Sequence, residues 1–97
     1  TDGFSEVRVE LTALALQREM AGMPADEQHA VRRVLRSIST YYKARLDGSA
    51  DAPPAALRTR LANAQDKVRS RVALAALVDM QVALFPPALP AIVSGKA

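Results

Sequence analysis

Residues 55–85, AALRTRLANAQDKVRSRVALAALVDMQVALF, form the longest run of this chain without glycine or proline. Pro53-Pro54 precede the run and Pro86-Pro87 follow it. Proline is tolerated in the first turn of a helix but breaks a helix interior, so these pairs predict one continuous helix over residues 55–85. At a rise of ~1.5 Å per residue this helix would be about 45 Å long. A helix of that length needs neighbouring helices to cover its apolar side.

Two further helices are predicted before this run. Apolar residues from Phe4 onward recur at helical spacing until Gly22, which predicts a short amphipathic helix over residues 4–21. Pro24, followed by two carboxylates, is typical of a helix start, and the helix predicted there covers residues 24–46. Its buried stripe is predicted to consist of Val31, Val34, Leu35, Ile38, Tyr41, Tyr42 and Leu46.

Residues 47–54, DGSADAPP, have the composition of a loop and are short enough to join two antiparallel helices. We therefore predict one all-α domain over residues 1–97, built as a long antiparallel helical hairpin with a short N-terminal helix and a proline-rich tail over residues 86–97. The second half of the long helix is apolar on most of its circumference. A second copy of the hairpin or the N-terminal helix must cover it, and a dimeric helical bundle is predicted.

Composition restricts the possible function classes. The chain has 97 residues, no cysteine, one histidine and a net charge of +3. Thiolate metal sites and disulfides are excluded, and an imidazole metal site is improbable. No apolar run approaches the ~20 residues of a membrane-spanning helix, and no signal peptide is visible, so the sequence predicts a soluble cytoplasmic protein without membrane contact.

No catalytic pattern is present in the sequence. Phosphate-binding glycine loops, nucleophile elbows and metal-ligand spacings are absent, and we predict a protein that is not an enzyme and carries no cofactor or metal. His29, followed by Arg32 and Arg33, is the one residue that suggests phosphotransfer, and an exposed or partner-facing histidine is the better interpretation. The basic helices leave nucleic-acid binding open as a lesser alternative, although no recognition helix is evident.

The order of elements resembles TraM, a family of small helical antiactivators of the LuxR-type quorum-sensing regulator TraR. The resemblance covers residues 9–93 and rests on Glu10-Leu11, Leu14, Gly22-Met23-Pro24, the helix from Asp26, the loop over 47–54, the apolar segment over 76–84 and Phe85-Pro86. It implies a cytoplasmic homodimer that binds a LuxR-type transcription factor, does not bind DNA itself and represses plasmid conjugal transfer.

Candidate contact residues follow from this hypothesis. The dimer core is predicted to consist of Val34, Leu35, Ile38, Leu61, Val68, Leu77 and Val82. The partner is predicted to contact Leu14, Arg32, Arg36, Lys43 and Phe85. The alternative is a helical linker or dimerisation segment of a larger bacterial signalling protein, since residues 81–90 resemble the helix end that precedes SpoIIE-type serine phosphatase domains.

Overall fold

A computed structural model describes the backbone of residues 2–87 and the side chains of residues 6–87. This range contains four α-helices and no strand: α1 (Asp2–Met20), α2 (Ala25–Leu46), α3 (Ala55–Lys67) and α4 (Arg71–Leu84). The prediction of an all-α fold is therefore confirmed. The predicted tail lies outside the described residues from residue 88 onward.

The turn between α1 and α2 is held by local hydrogen bonds. Pro24 caps α2 with an extended backbone, and Asp26 and Glu27 occupy the first turn, where the helix dipole favours negative charge. The side-chain amide of Gln28 donates to the backbone carbonyl of Met20 at 2.8 Å. The same carbonyl, at the end of α1, also accepts the backbone N–H of Met23 at 3.1 Å.

The end of α2 depends on a glycine in the left-handed region. Gly48 has φ +83°, a conformation that side chains with a Cβ rarely adopt, and the backbone N–H of Ser49 donates to the carbonyl of Ala44 at 2.8 Å. The Asp47 carboxylate accepts hydrogen bonds from the hydroxyl and the backbone N–H of Ser49, which together hold the pKa of Asp47 below its ordinary value. The predicted loop over residues 47–54 therefore begins with a defined helix stop.

The predicted long helix over residues 55–85 is interrupted at residues 68–70, which separate α3 from α4. No glycine or proline lies at the break. Ser70 caps α4 instead: its hydroxyl accepts the backbone N–H of Ala73 at 3.2 Å and donates to a carboxylate oxygen of Glu19 at 2.7 Å. A side chain of α1 thus takes part in starting α4.

The break allows α4 to fold back and pack antiparallel on α1. Arg8 lies 3.5 Å from Asp79 near the start of α1, and the contact between Glu19 and Ser70 lies near its end. A straight helix would carry the apolar second half away from α1. Burial of that half against α1 removes Leu77 from water completely, which favours the bent arrangement.

The core lies between two packed helix pairs, α1 with α4 and α2 with α3. All four helices contribute to it, and its largest fully buried side chains are Val9, Leu16, Val31, Val34, Leu57, Leu61, Leu77 and Met80. Each lies on the inward side of its own helix. On α1 that side carries Val9 and Leu16, whereas the periodic Val7, Leu11 and Leu14 are exposed.

Candidate interaction surfaces

Exposed aliphatic side chains concentrate on α1 and α4. Among the described residues, eight large hydrophobic side chains are at least 40% exposed, and seven of them lie on these two helices. We call these seven side chains the α1/α4 outer face: Val7, Leu11, Leu14, Val72, Leu74, Val78 and Val82. On α1 they lie opposite the buried Val9 and Leu16. Exposed aliphatic side chains concentrated on one helix pair are a candidate interaction site.

The charges around the α1/α4 outer face are unevenly placed along its length. Glu6 and Glu10 lie near the start of α1, whereas Arg18 lies near its end. Arg71 lies at the start of α4, where Ser70 contacts Glu19 of α1. The Glu6 carboxylate is 3.8 Å from a guanidinium nitrogen of Arg45, in an exposed contact. One end of the face is therefore more acidic and the other is basic.

The outward side of α2 is basic. Residues 28–46 contain five basic and no acidic residues, and Arg32, Arg33, Arg36 and Lys43 are all exposed. The acidic side chains of α2, Asp26 and Glu27, both precede this stretch, in the first turn of the helix. This side of the molecule is suited to an anionic partner.

Two grooves flank α2. The α1/α2 groove, about 560 Å³ in volume, is lined by Glu6, Val7, Val9, Glu10, Ala13, Gln17, Leu35, Ile38, Ser39, Tyr42, Arg45 and Leu46. Burial, together with the nearby carboxylate of Glu6, raises the pKa of Tyr42 above its ordinary value near 10.0. The α2/α3 groove, about 390 Å³, is lined by Arg36, Ser37, Thr40, Tyr41, Ala44, Ala50, Ala52, Pro54, Ala56, Leu57 and Arg60.

Most of the residues predicted to form a dimer core lie inside the single chain. The five that are buried there are Val34, Ile38, Leu61, Val68 and Leu77. Leu35 is partly buried against the same core, and Val82 is 40% exposed on the α1/α4 outer face. The stripes that the sequence revealed are used within the chain because α4 folds back onto α1.

The residues predicted to contact a partner lie on separate surfaces. Leu14 belongs to the α1/α4 outer face, and the three basic residues Arg32, Arg36 and Lys43 lie on the outward side of α2. Phe85 is half-buried beneath Arg58, whose guanidinium carbon is 4.5 Å from the ring centre. The structure does not bring these side chains together.

Sequence reasoning did not assign Val7, Leu11, Val72 or Val78 to an interaction site. Their spacing was visible, and the wide apolar circumference of residues 72–85 was a signal that some side chains there remain uncovered. The spacing alone did not show which side of each helix faces the core.

No group of three or more histidine, cysteine, aspartate or glutamate side chains able to hold a metal ion occurs in the part of the chain that the structure describes. His29 is exposed near the start of α2. Within the same part of the chain, no helix has the length and apolar character needed to cross a membrane.

Comparison with known proteins replaces the functional hypothesis drawn from the sequence. The fusaric acid resistance protein family, FUSC, matches residues 1–91. No curated protein and no solved structure shows a significant match. Proteins of this family are typically components of membrane transporters.

This match shows that the resemblance to TraM antiactivators was wrong, and with it the predicted role in quorum sensing and conjugation. The prediction of a cytoplasmic protein is also contradicted, since proteins of the matched family are membrane proteins. The resemblance rested on the order of a glycine-proline break, two helices and a proline after the last helix. Many unrelated helical proteins share this order, so it does not identify a family. Because the family match spans nearly the whole sequence, this chain belongs to the fusaric acid resistance protein family.

Proposed function

We propose that this chain is a self-pairing helical segment of a larger, membrane-associated transport protein. Membership of the fusaric acid resistance family supports the transport role, and the α1/α4 outer face supports the pairing. The observation that carries the proposal is this exposed face, because a soluble helical unit with no partner rarely leaves so many aliphatic side chains in water on one helix pair. The homodimer predicted from the sequence is thereby retained with a different interface.

The size of the α1/α4 outer face suits a second copy of the chain. The 14 residues of α4 extend over about 21 Å, and two helices packed 8–10 Å apart present a surface roughly 20 Å wide. The face shared by both helices therefore covers about 400 Å² in projection and more in accessible area. Two such faces pressed together bury on the order of 1,000 Å² in total, the low end of the range for specific interfaces.

Charge placement favours one orientation of the two copies. If the two α1 helices run antiparallel across a two-fold axis, the basic end of one copy, with Arg18 and Arg71, meets the more acidic end of the other, with Glu10. The two basic ends are then kept apart. Such a pairing is isologous, the commonest geometry of homodimers, and stacks two α1/α4 pairs into a four-helix bundle.

Light scattering coupled to size-exclusion chromatography tests the pairing. The parent chain is expected to elute as a dimer, and the double variant Leu11→Glu/Val78→Glu as a monomer, because burying an unpaired charge in an apolar interface is costly. Ala62→Glu is the control, since Ala62 is exposed on α3 and lies outside the α1/α4 outer face. A monomeric parent, or a variant that stays dimeric, contradicts the pairing.

The membrane association has a separate test. Quantitative proteomics of membrane and soluble fractions from the source cells should recover peptides of this chain in the membrane fraction, on a polypeptide longer than the chain itself. Recovery only in the soluble fraction contradicts the transport role and leaves the pairing to be judged by its own experiment.

A further inference from the structure

The α2/α3 groove combines positive charge with an apolar wall. Its polar lining residues are Arg36, Arg60, Ser37, Thr40 and Tyr41, and no acidic residue lines it. The rest of the wall is apolar, and is formed by Ala44, Ala50, Ala52, Pro54, Ala56 and Leu57. A cavity of about 390 Å³ holds more than a bare inorganic ion, so the ligand it suits has an anionic head and an apolar continuation.

The side chains of Arg36 and Arg60 differ in the contacts that they already make within the chain. A guanidinium nitrogen of Arg60 donates to the Ser37 hydroxyl, which holds the Arg60 side chain against α2 and leaves its other N–H groups for an anion. Arg36 makes no ion pair or hydrogen bond with any residue in the described range 2–87. Both arginines line the groove, so an anion there lies near two cationic side chains.

The Tyr41 hydroxyl is open to the groove or to water. Tyr41 is only 5% exposed, and its hydroxyl forms no hydrogen bond with the described part of the chain. The same part contains no buried side-chain nitrogen or oxygen without a partner, so the small exposed fraction of Tyr41 includes this oxygen. A donor so placed can add to the two guanidinium groups.

The surroundings of the groove strengthen its positive potential. Arg32, Arg33 and Lys43 are exposed on the same helix as Arg36. Asp47 and Asp51, the acidic residues of the loop that borders the groove, are exposed and do not line it. An anion approaching this side of the molecule is therefore attracted before it reaches the two lining arginines.

We propose that the α2/α3 groove binds the phosphate of an anionic phospholipid head group. Two guanidinium groups and up to three hydroxyl groups offer more donors than the roughly four lone-pair sites of a carboxylate accept in a compact site, whereas the two non-bridging oxygens of a phosphate diester carry about six. The apolar wall receives the glycerol and the first methylene groups. This assignment rests on the proposed membrane association, and it places the basic side of α2 against the bilayer surface while the α1/α4 outer face remains free for pairing.

Vesicle flotation of the 97-residue chain tests the site. Vesicles of phosphatidylcholine alone are compared with vesicles in which phosphatidylglycerol replaces part of it, and binding is expected only with the latter. Each basic residue near an anionic membrane surface accounts for about 5-fold in binding through charge alone, so either double variant should lose about 30-fold by that route. Arg36→Gln/Arg60→Gln also removes the hydrogen bonds to the phosphate and should weaken binding at least about 10-fold more. Arg32→Gln/Arg33→Gln, on the same side of the molecule but outside the groove, should lose only the charge contribution.

Two comparisons separate a built site from diffuse attraction. Equal losses in both double variants overturn the proposal, because a diffuse basic surface depends on charge and not on position. Arg36→Lys/Arg60→Lys keeps the charge and removes the forked guanidinium geometry, so it should also lose most of the binding. Far-UV circular dichroism of each variant verifies that the fold is kept, and full binding by the lysine variant argues against the groove.

A third arm distinguishes the source of the phosphate. Calorimetric titration with soluble glycerol phosphate should show binding far weaker than binding to vesicles. Tight binding of glycerol phosphate that requires Arg36 and Arg60, without vesicle binding, overturns the assignment to a lipid. The protein could bind vesicles through both arginines and yet be found only in the soluble fraction of cells. That result supports the groove and refutes the transport role, so failure of the groove proposal and failure of the proposed function are distinguishable.

Discussion

Replacing Ser70 by alanine tests the break that determines this fold. In the structure the Ser70 hydroxyl accepts the N–H of Ala73 at 3.2 Å and donates to Glu19 at 2.7 Å. Loss of a helix N-cap costs about 1 kcal/mol, and a hydrogen bond to a partly exposed carboxylate contributes about another 1 kcal/mol. We expect Ser70→Ala to lower the free energy of unfolding by about 2 kcal/mol.

The opposite result is expected if residues 55–85 form one continuous helix. Alanine has a higher helix propensity than serine, so Ser70→Ala would then stabilise the protein by a few tenths of a kcal/mol. The sign of the change therefore distinguishes the two structures. Ser39→Ala is the control, because Ser39 is exposed inside α2, where the alanine should be slightly stabilising.

Urea denaturation followed by far-UV circular dichroism measures this difference at one fixed protein concentration, since pairing makes stability depend on concentration. A loss of about 2 kcal/mol in a domain of this size corresponds to a decrease of roughly 8–16 °C in the melting temperature. A double-mutant cycle with Glu19→Ala separates the contribution of Glu19 from that of the cap. Unchanged or increased stability in Ser70→Ala refutes the proposed cap and the break that depends on it.

Three further predictions concern the core, the α1/α2 groove and the junction of α2 with the break. Leu77→Ala removes a fully buried side chain and should cost about 2–5 kcal/mol in urea denaturation; a loss below 1 kcal/mol contradicts its placement in the core. Because folding raises the pKa of Tyr42, the contribution of this side chain to stability is fully present below about pH 10 and is lost as the pH rises through the folded pKa. Tyr42→Phe should remove this loss of stability at alkaline pH. An unchanged alkaline stability profile in Tyr42→Phe would contradict the prediction. Glu27→Ala should lower the free energy of unfolding by about 1 kcal/mol or more, because the carboxylate is buried and accepts the backbone N–H of Arg69. Arg69→Ala should lower it by less than about 0.5 kcal/mol, because that side chain is 89% exposed. Equal losses in the two variants would show that the ion pair matters and the backbone contact does not.

The failed resemblance to TraM antiactivators has a physical cause. Gly22-Met23-Pro24 and Phe85-Pro86 mark where helices end, and any helical protein of this size needs such stops. Helix spacing therefore carries information about local conformation and little about partners. The family match over residues 1–91 uses the identity of residues along the whole chain, which a few stops and stripes do not capture.

The candidate site was only partly predictable for a related reason. Periodicity identified the stripes of α2 and α3, and Val34 and Leu61 are buried as predicted, but Leu46, at the end of the predicted α2 stripe, is 89% exposed. It did not reveal that α1 and α4 form a pair with one apolar side left in water. Whether Leu11 or Val78 is buried depends on which side of its helix packs against a neighbouring helix, and that neighbour is distant in sequence.

The sequence by itself determined the helical class and the positions where helices start and stop, because proline, left-handed glycine and first-turn carboxylates act through bonds to their nearest neighbours. Pro24 and Gly48 act in this way. Only the tertiary structure decided the break at residues 68–70, since no local helix breaker stands there. The cap at Ser70 is completed by Glu19 of α1, and burial of Leu77 against the rest of the fold offsets the helical hydrogen bonds that the break removes. Long-range burial therefore outweighed local helix propensity at that point, and it left the α1/α4 outer face exposed.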